Sequence, residues 1–234
     1  MSGMDNFAPH LDIRRLYDGF DRPVTAFDCG QKCAPYNASG KPFCCDICHA
    51  VPVGYRQEWD FVRERTDLWH EWQGNECAAD PTDPAELREQ TPDHMILLAC
   101  KGPAACQRSF RAVSCRQFPF FPYITSDYRF IGLAYEWSFE PVCWVISHLA
   151  SVSEEYRQEF VQTYDYLLAN WQDELESYAI TSEDMRSAFA AQKRRIPILH
   201  RNGGYYLLSP VSERLRLADP ARFRRFGPYR ELEK

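Results

Sequence analysis

The sequence predicts an α+β chain, with an irregular cysteine-rich core over residues 24–150 and a helical C-terminal part over residues 151–234. Three observations carry that expectation. Cys29, Cys33, Cys44, Cys45 and Cys48 crowd into a stretch interrupted by APYNASGKPF, whose Pro, Gly, Asn and Ser favour bends over regular structure. Cys100, Cys106 and Cys115 form a second group far downstream, and Cys143 follows it. From Glu154 onward the pattern changes: Tyr156, Phe160, Tyr164, Leu167, Leu168, Trp171 and Leu175 recur mostly at spacings of three and four, the signature of an amphipathic helix.

The elements follow in order. A helical turn is expected around Leu11–Leu16, and Val24–Phe27 reads as a short strand entering the first cysteine group. Arg56–Trp72 places Trp59, Phe61, Val62, Leu68, Trp69 and Trp72 near helical spacing. Residues 74–93 are polar and broken by prolines, which allows one short helix near Pro84–Glu89. His94–Cys100 is a buried strand or a short helix, too brief for periodicity to decide. Prolines 119 and 122 are expected to stop regular structure in FPFFPY, and Tyr128–Trp137 is dense in strand-forming residues. Ser153, followed by two acids, caps the helix over Glu154–Tyr178. Ser182 is read as the start of a second helix ending before Pro197. Tyr205–Leu208 is a short strand after Gly203 and Gly204, which lack the lysine of a phosphate loop.

With 234 residues, 45% apolar and 26% charged, the chain can bury a core without crosslinks. Its net charge of −6 argues against nucleic acid as the main partner. Charge is uneven, however: Lys193 to Lys234 holds eleven Lys or Arg against four acids. That basic tail either covers the acidic body or meets a phosphate or an acidic protein partner. No apolar run reaches the ~18 residues of a membrane span, and the N-terminus lacks the apolar centre of a signal peptide. The expectation is therefore a cytoplasmic protein with no membrane partner. In a reducing compartment, ten cysteines point to metal ligation rather than to structural disulfides.

Thiolates are soft anionic donors suited to zinc, Cu(I) and iron–sulfur centres, and four of them close one site. Cys29 and Cys33, and Cys45 and Cys48, have the close spacing that lets one loop aim two sulfurs at one point. Adjacent Cys44 and Cys45 share a centre only where the backbone turns; otherwise they serve two centres, or one is simply buried. Arg116, beside Cys115, either offsets thiolate charge as a cofactor-binding residue or is a surface arginine paired elsewhere. His49 and His148 are possible imidazole donors, with ring packing as the alternative. Phe118, Phe120 and Phe121 are expected to wall off the site. Cys77, alone in a polar loop, reads as a free surface thiol.

Phe27-Asp28-Cys29, Cys33, the Cys44–Cys45 pair, Cys100 with Cys106, and Cys115-Arg116-Gln117-Phe118-Pro119 resemble the pattern of the YkgJ-like cysteine-cluster proteins, described as zinc- or iron-chelating. Cys143 stands where that family often has a further cysteine. The resemblance covers roughly residues 25–145 and implies a metal-binding core. The chain departs from the pattern in the spacing of Cys29 and Cys33, in the ten residues between Cys33 and Cys44, and in the additional Cys48.

These readings converge on a metal-chelating protein with an iron–sulfur or zinc centre. Its ligand candidates are Cys29, Cys33, Cys44, Cys45, Cys48, Cys100, Cys106, Cys115 and Cys143. Two other classes compete: an oxidoreductase passing electrons through an iron–sulfur cluster, and a structural zinc module of a protein-interaction factor. No catalytic residue is assigned. The adjacent acids Glu154/Glu155 and Asp173/Glu174 diverge on a helix and suit capping better than acid–base work.

Overall fold

The structure, a computed structural model, describes residues 9–77 and 83–230. The first residues of the leader, the middle of the polar loop at 78–82 and the last four residues of the basic tail lie outside the described residues.

Helix α1 (Ile13–Gly19) begins where the Asp12 side chain accepts the Arg15 N–H, and it turns Ile13, Leu16 and Tyr17 inward. A short α2 (Gly30–Cys33) and a 3₁₀ turn at Phe43–Cys45 carry the first cysteines. Strand β1 (Val53–Tyr55) leads into α3 (Arg56–Arg63), and β2 (Trp69–Glu71) follows. The helix expected through Trp72 thus ends at Arg63. Leu68, Trp69 and Trp72 are buried from extended chain beside a neighbouring strand, a burial that helical spacing imitates. After α4 (Pro84–Glu89), β3 (Met95–Cys100) runs between β1 and β2 in an antiparallel three-stranded sheet. The apolar run whose type periodicity left open is therefore a central strand.

Helix α5 (Val113–Gln117) carries Cys115 and opens into β4 (Phe120–Ile124), followed by β5 (Phe130–Tyr135). Pro122 does not prevent β4, because β4 is an edge strand and one side of it needs no amide donor. A short α6 (Trp144–Ser147) starts at Cys143 and precedes the long pair α7 (Glu154–Asn170) and α8 (Gln172–Ala191). Strands β6 (Ile196–His200), β7 (Tyr205–Leu208) and β8 (Leu215–Leu217) complete a five-stranded antiparallel sheet in the order β4-β5-β6-β7-β8. Helices and antiparallel sheets thus make an α+β fold. The boundary drawn at residue 150 falls between β5 and β6, which pair through Gly132–His200 and Leu133–Leu199. One apolar core runs from Leu11 to Tyr229.

The helical region breaks where the sequence pattern shows continuity. Trp171 is extended (φ −141°, ψ 102°) and packs its buried ring against Tyr55 and His94 at centroid distances of 5.1 and 4.6 Å. Ser182, expected as a helix start, sits inside α8. Its hydroxyl donates to the Tyr178 carbonyl at 2.7 Å and accepts the Ile124 N–H at 2.9 Å, tying α8 to the edge strand β4.

Glu174, in the first turn of α8, is 2% exposed and its Oε1 has no hydrogen-bond partner. Burial pushes its carboxyl up to about 7, with Asp173 adding to the shift and the Tyr55 hydroxyl opposing it. Because the folded pKa is raised, the stability tied to this group is fully present below about pH 4.5 and is lost as pH rises through 7. Glu174→Gln should therefore stabilise the fold by about 1–3 kcal/mol at pH 8 and by far less near pH 5. Urea unfolding at the two pH values reads the difference; equal stability of parent and variant at pH 8 would show that the carboxyl ionises at no cost.

Candidate metal centre

Eight of the ten cysteines are free: Cys29, Cys33, Cys44, Cys45, Cys100, Cys106, Cys115 and Cys143. They come from α2, the 3₁₀ turn, β3, the segment around Cys106, α5 and the start of α6. Cys29 caps α2 and Cys33 ends it, one helical turn apart. The ten-residue insert then doubles back. Its hub is Asp46, 4% exposed, which accepts from Asn37 Nδ2 at 2.9 Å and Ser39 Oγ at 2.6 Å. Burial opposes its charge, but these donors hold its carboxyl below the usual range. Pro42 lands on Gly30, where a Cβ would lie 2.7 Å from the proline ring. That close approach returns Cys44 and Cys45 to α2. On the other side, Cys100 ends β3 opposite Trp69, and Trp69 Nε1 donates to the Phe110 carbonyl at 2.7 Å, drawing in the segment between Cys106 and Cys115. Helix α6 packs against α2 and so brings Cys143 to the first group.

The thiols divide into two interacting sets. Cys29 is pushed up to about 11, by burial first and then by Cys33; Cys143 rises to about 12, by burial and then by Cys29 and Cys33 among others. Cys44 is raised well above its ordinary value by its hydrogen bond with Cys45 and by burial, with Cys143 and Cys29 contributing. Cys143 thus neighbours Cys29, Cys33 and Cys44, and Cys29 neighbours Cys33 and Cys44. Cys100 is raised by burial and by Cys45 and Cys106, and Cys115 by burial and by Cys100 and Cys45. Cys45, Cys100, Cys106 and Cys115 make the second set. The two sets meet where the 3₁₀ turn holds the sulfurs of Cys44 and Cys45 4.0 Å apart, and Cys33 also feels Cys45. Cys45 alone is lowered, to about 7, by the hydrogen bond from Cys44 despite burial, with Arg111 helping.

Arg111 supplies the cation expected of Arg116. Its Nε donates to Cys106 Sγ at 3.0 Å, and Cys45 and Cys115 also act on it. Arg116 corrects the surface alternative, and its guanidinium is committed to backbone carbonyls rather than to sulfur. It is 1% exposed, and its guanidinium donates to the carbonyls of Tyr17, Phe20, Ser109 and Arg111. It also lies over the Tyr17 ring at 4.3 Å and 3.6 Å from Asp21. Opposite it, buried Glu58 accepts the Tyr17 hydroxyl at 2.8 Å and the Val113 N–H at 2.7 Å. Together the two charges fix α5, and with it Cys115, against α1 and α3.

Cys48 is a second correction. It forms a disulfide with Cys77, which removes it from the donor set and gives the expected free thiol a covalent partner. Ile47, beside Cys48, packs onto a small apolar cluster of Trp72, Leu97 and Ala99, and the chain leaving Trp72 leads on to Cys77. His49 is exposed and packs edge-on to Phe43 at 5.0 Å, and His148 stacks on Trp144 at 4.0 Å, so both imidazoles make ring contacts. Phe120 and Phe121 are buried in β4, while Phe118 packs on Phe139.

Among the described residues, no group of three or more His, Cys, Asp or Glu side chains stands ready to hold a metal ion. The chemistry of the donor set nonetheless fits one. Eight thiols form no disulfide with one another, all but Cys106 are at least partly buried, and metal binding would displace their protons. No helix of the described residues is long and apolar enough to cross a membrane. No family model matches the chain, and no curated protein or solved structure was found to match it.

Proposed function

We propose that this chain is a metal-binding protein with two adjacent four-thiolate centres, one held by Cys29, Cys33, Cys44 and Cys143 and the other by Cys45, Cys100, Cys106 and Cys115. The single observation that carries this reading is the gathering of free thiols around the adjacent Cys44 and Cys45, with Cys29 and Cys143 acting on Cys44 and Cys45 acting on Cys100 and Cys115. All-sulfur donor sets favour zinc or an iron–sulfur cluster over hard cations. Zinc there would brace the fold; a cluster would add electron transfer. The resemblance to the YkgJ-like proteins points the same way.

Anaerobic purification followed by iron, sulfide and zinc analysis and a visible spectrum separates the two metals. Stoichiometric iron and sulfide with a visible absorption band identify clusters, and a colourless protein carrying zinc identifies structural sites. Protein that takes up neither metal after reconstitution would overturn the reading.

The exposure of Cys106 favours the electron-transfer form, since it leaves one ligand of the second centre at the surface, where a redox partner would meet it. A cluster that dithionite bleaches and air restores supports that form; one inert to both contradicts it. Arg111 tests the same centre differently. Arg111→Gln removes the hydrogen bond to Cys106 Sγ and is expected to weaken metal binding there by about tenfold or more, leaving the apo fold little changed. Competition with a chromophoric chelator reads the affinity, and an unchanged value would make Arg111 a bystander.

A further inference from the structure

Away from the thiols, a cleft of about 420 Å³ opens between the end of α8, the start of β6 and the chain after β8. Five cations line it: Lys193, Arg194 and Arg195 from one segment and Arg222 and Arg224 from the other. No carboxylate lines it. Arg194 is held by Glu140, 3.0 Å from its Nη1, and Arg222 lies 3.7 Å from Asp219. Lys193, Arg195 and Arg224 have no acidic partner among the described residues, and all three are exposed. Phe223 and Phe226 are part of the apolar lining, and the Phe226 ring lies under the guanidinium groups of Arg194 and Arg224 at 5.2 and 5.4 Å.

Cations after the C-terminus of α8 complement its helix dipole, and this accounts for Lys193 and Arg195 alone. It does not account for Arg222 and Arg224, which come from a distant segment and converge on the same space. Gathering like charges costs free energy unless an anion offsets it. Guanidinium groups match phosphate oxygens in pairs, and the cleft falls within the size range of small-molecule sites. Lys193 also sits at φ +53°, a left-handed position where glycine is easier, so a lysine there is held at some backbone cost.

We propose that this cleft binds a small phosphate-bearing molecule with a planar ring, of the nucleoside-phosphate class. The unpaired cations take the phosphates, and the apolar lining takes the ring. The concave shape and the acidic net charge of the chain favour a small ligand over a nucleic acid. The occupant would touch the segment that covers the first thiol set. Phe226 donates its N–H to Ser147 Oγ at 2.9 Å in α6, and the Tyr229 hydroxyl donates to the Val142 carbonyl at 3.1 Å, next to Cys143. Gly227, at φ +53°, lies so close to Pro141 that a Cβ would stand 2.0 Å from its carbonyl oxygen. The cleft itself does not depend on the metal reading.

Titration calorimetry on the full chain as purified, with adenosine diphosphate, inorganic pyrophosphate and adenosine as separate probes, tests the proposal. Adenosine diphosphate should bind most tightly, pyrophosphate about tenfold or more weaker, and adenosine weakest, with affinity falling as salt rises. The exposed Lys193→Gln/Arg195→Gln/Arg224→Gln variant should keep the parent's unfolding midpoint and lose diphosphate binding by at least about a hundredfold. Equal affinity for pyrophosphate and adenosine diphosphate would remove the ring from the proposal. Diphosphate binding unchanged in the variant, or no binding of any probe at about 1 mM, would overturn it.

Discussion

Cys143→Ser is expected to halve the metal content, and Cys115→Ser to halve it independently, because the proposed centres place each thiol in a different set of four. The double variant should carry almost none. Each single change should also lower stability by several kcal/mol, since the free energy of metal binding is part of the free energy of folding. Burial holds both thiols above their ordinary value, to about 12 for Cys143. Metal must therefore displace protons, and occupancy should strengthen as pH rises. By contrast, Cys48→Ser together with Cys77→Ser should leave metal content unchanged, because that pair is occupied with itself. Total metal loss on removing Cys143 alone would merge the two sets into one centre.

Arg116→Met should destabilise the chain by about 3–5 kcal/mol, and roughly 10 °C or more in thermal midpoint, although Arg116 touches no sulfur. The substitution removes the donor that serves four backbone carbonyls and leaves buried Glu58 without the nearby positive charge that favours its ionised form. Arg116→Lys keeps the charge but not the planar fork, and should recover less than half of the loss. Calorimetry on metal-free protein isolates this effect from ligation. A midpoint within a degree or two of the parent would mean that α5 is held by its apolar contacts alone.

Arg116 and Arg111 show where sequence reading stopped. Proximity in the chain pointed to Arg116 as the partner of Cys115, but one residue along a helix is a rotation of ~100°, which turns the guanidinium away from the sulfur. Arg111 lies four residues before Cys115 and five after Cys106, outside any named motif, and only the turn at Arg108–Phe110 aims it at sulfur. The thiol set itself was legible because cysteine type and clustering survive without knowledge of the fold. The assignment of Cys48 was not. It depended on Ile47 and Trp72 meeting on β3, a long-range contact that local spacing does not encode.

The fold shows the same division. α7 was legible from its cap at Ser153 and its inward stripe of Tyr156, Phe160, Tyr164 and Leu167. Its end was not, because Trp171 fits the helical period and leaves the helix only to fill the core beside Tyr55. β4 was hidden by Pro122, which is tolerated at an edge that could be recognised only once the strand order was known. Asp46 was missed for a related reason. A lone acid between cysteines reads as loop, yet it organises the insert that returns Cys44 and Cys45 to α2.

The most direct measurement is native mass spectrometry of the full chain purified without oxygen. The expected spectrum shows the polypeptide plus two metal centres, with one centre lost in Cys143→Ser and the other in Cys115→Ser. A bare chain whose eight free cysteines all react at once with an alkylating reagent would contradict the account.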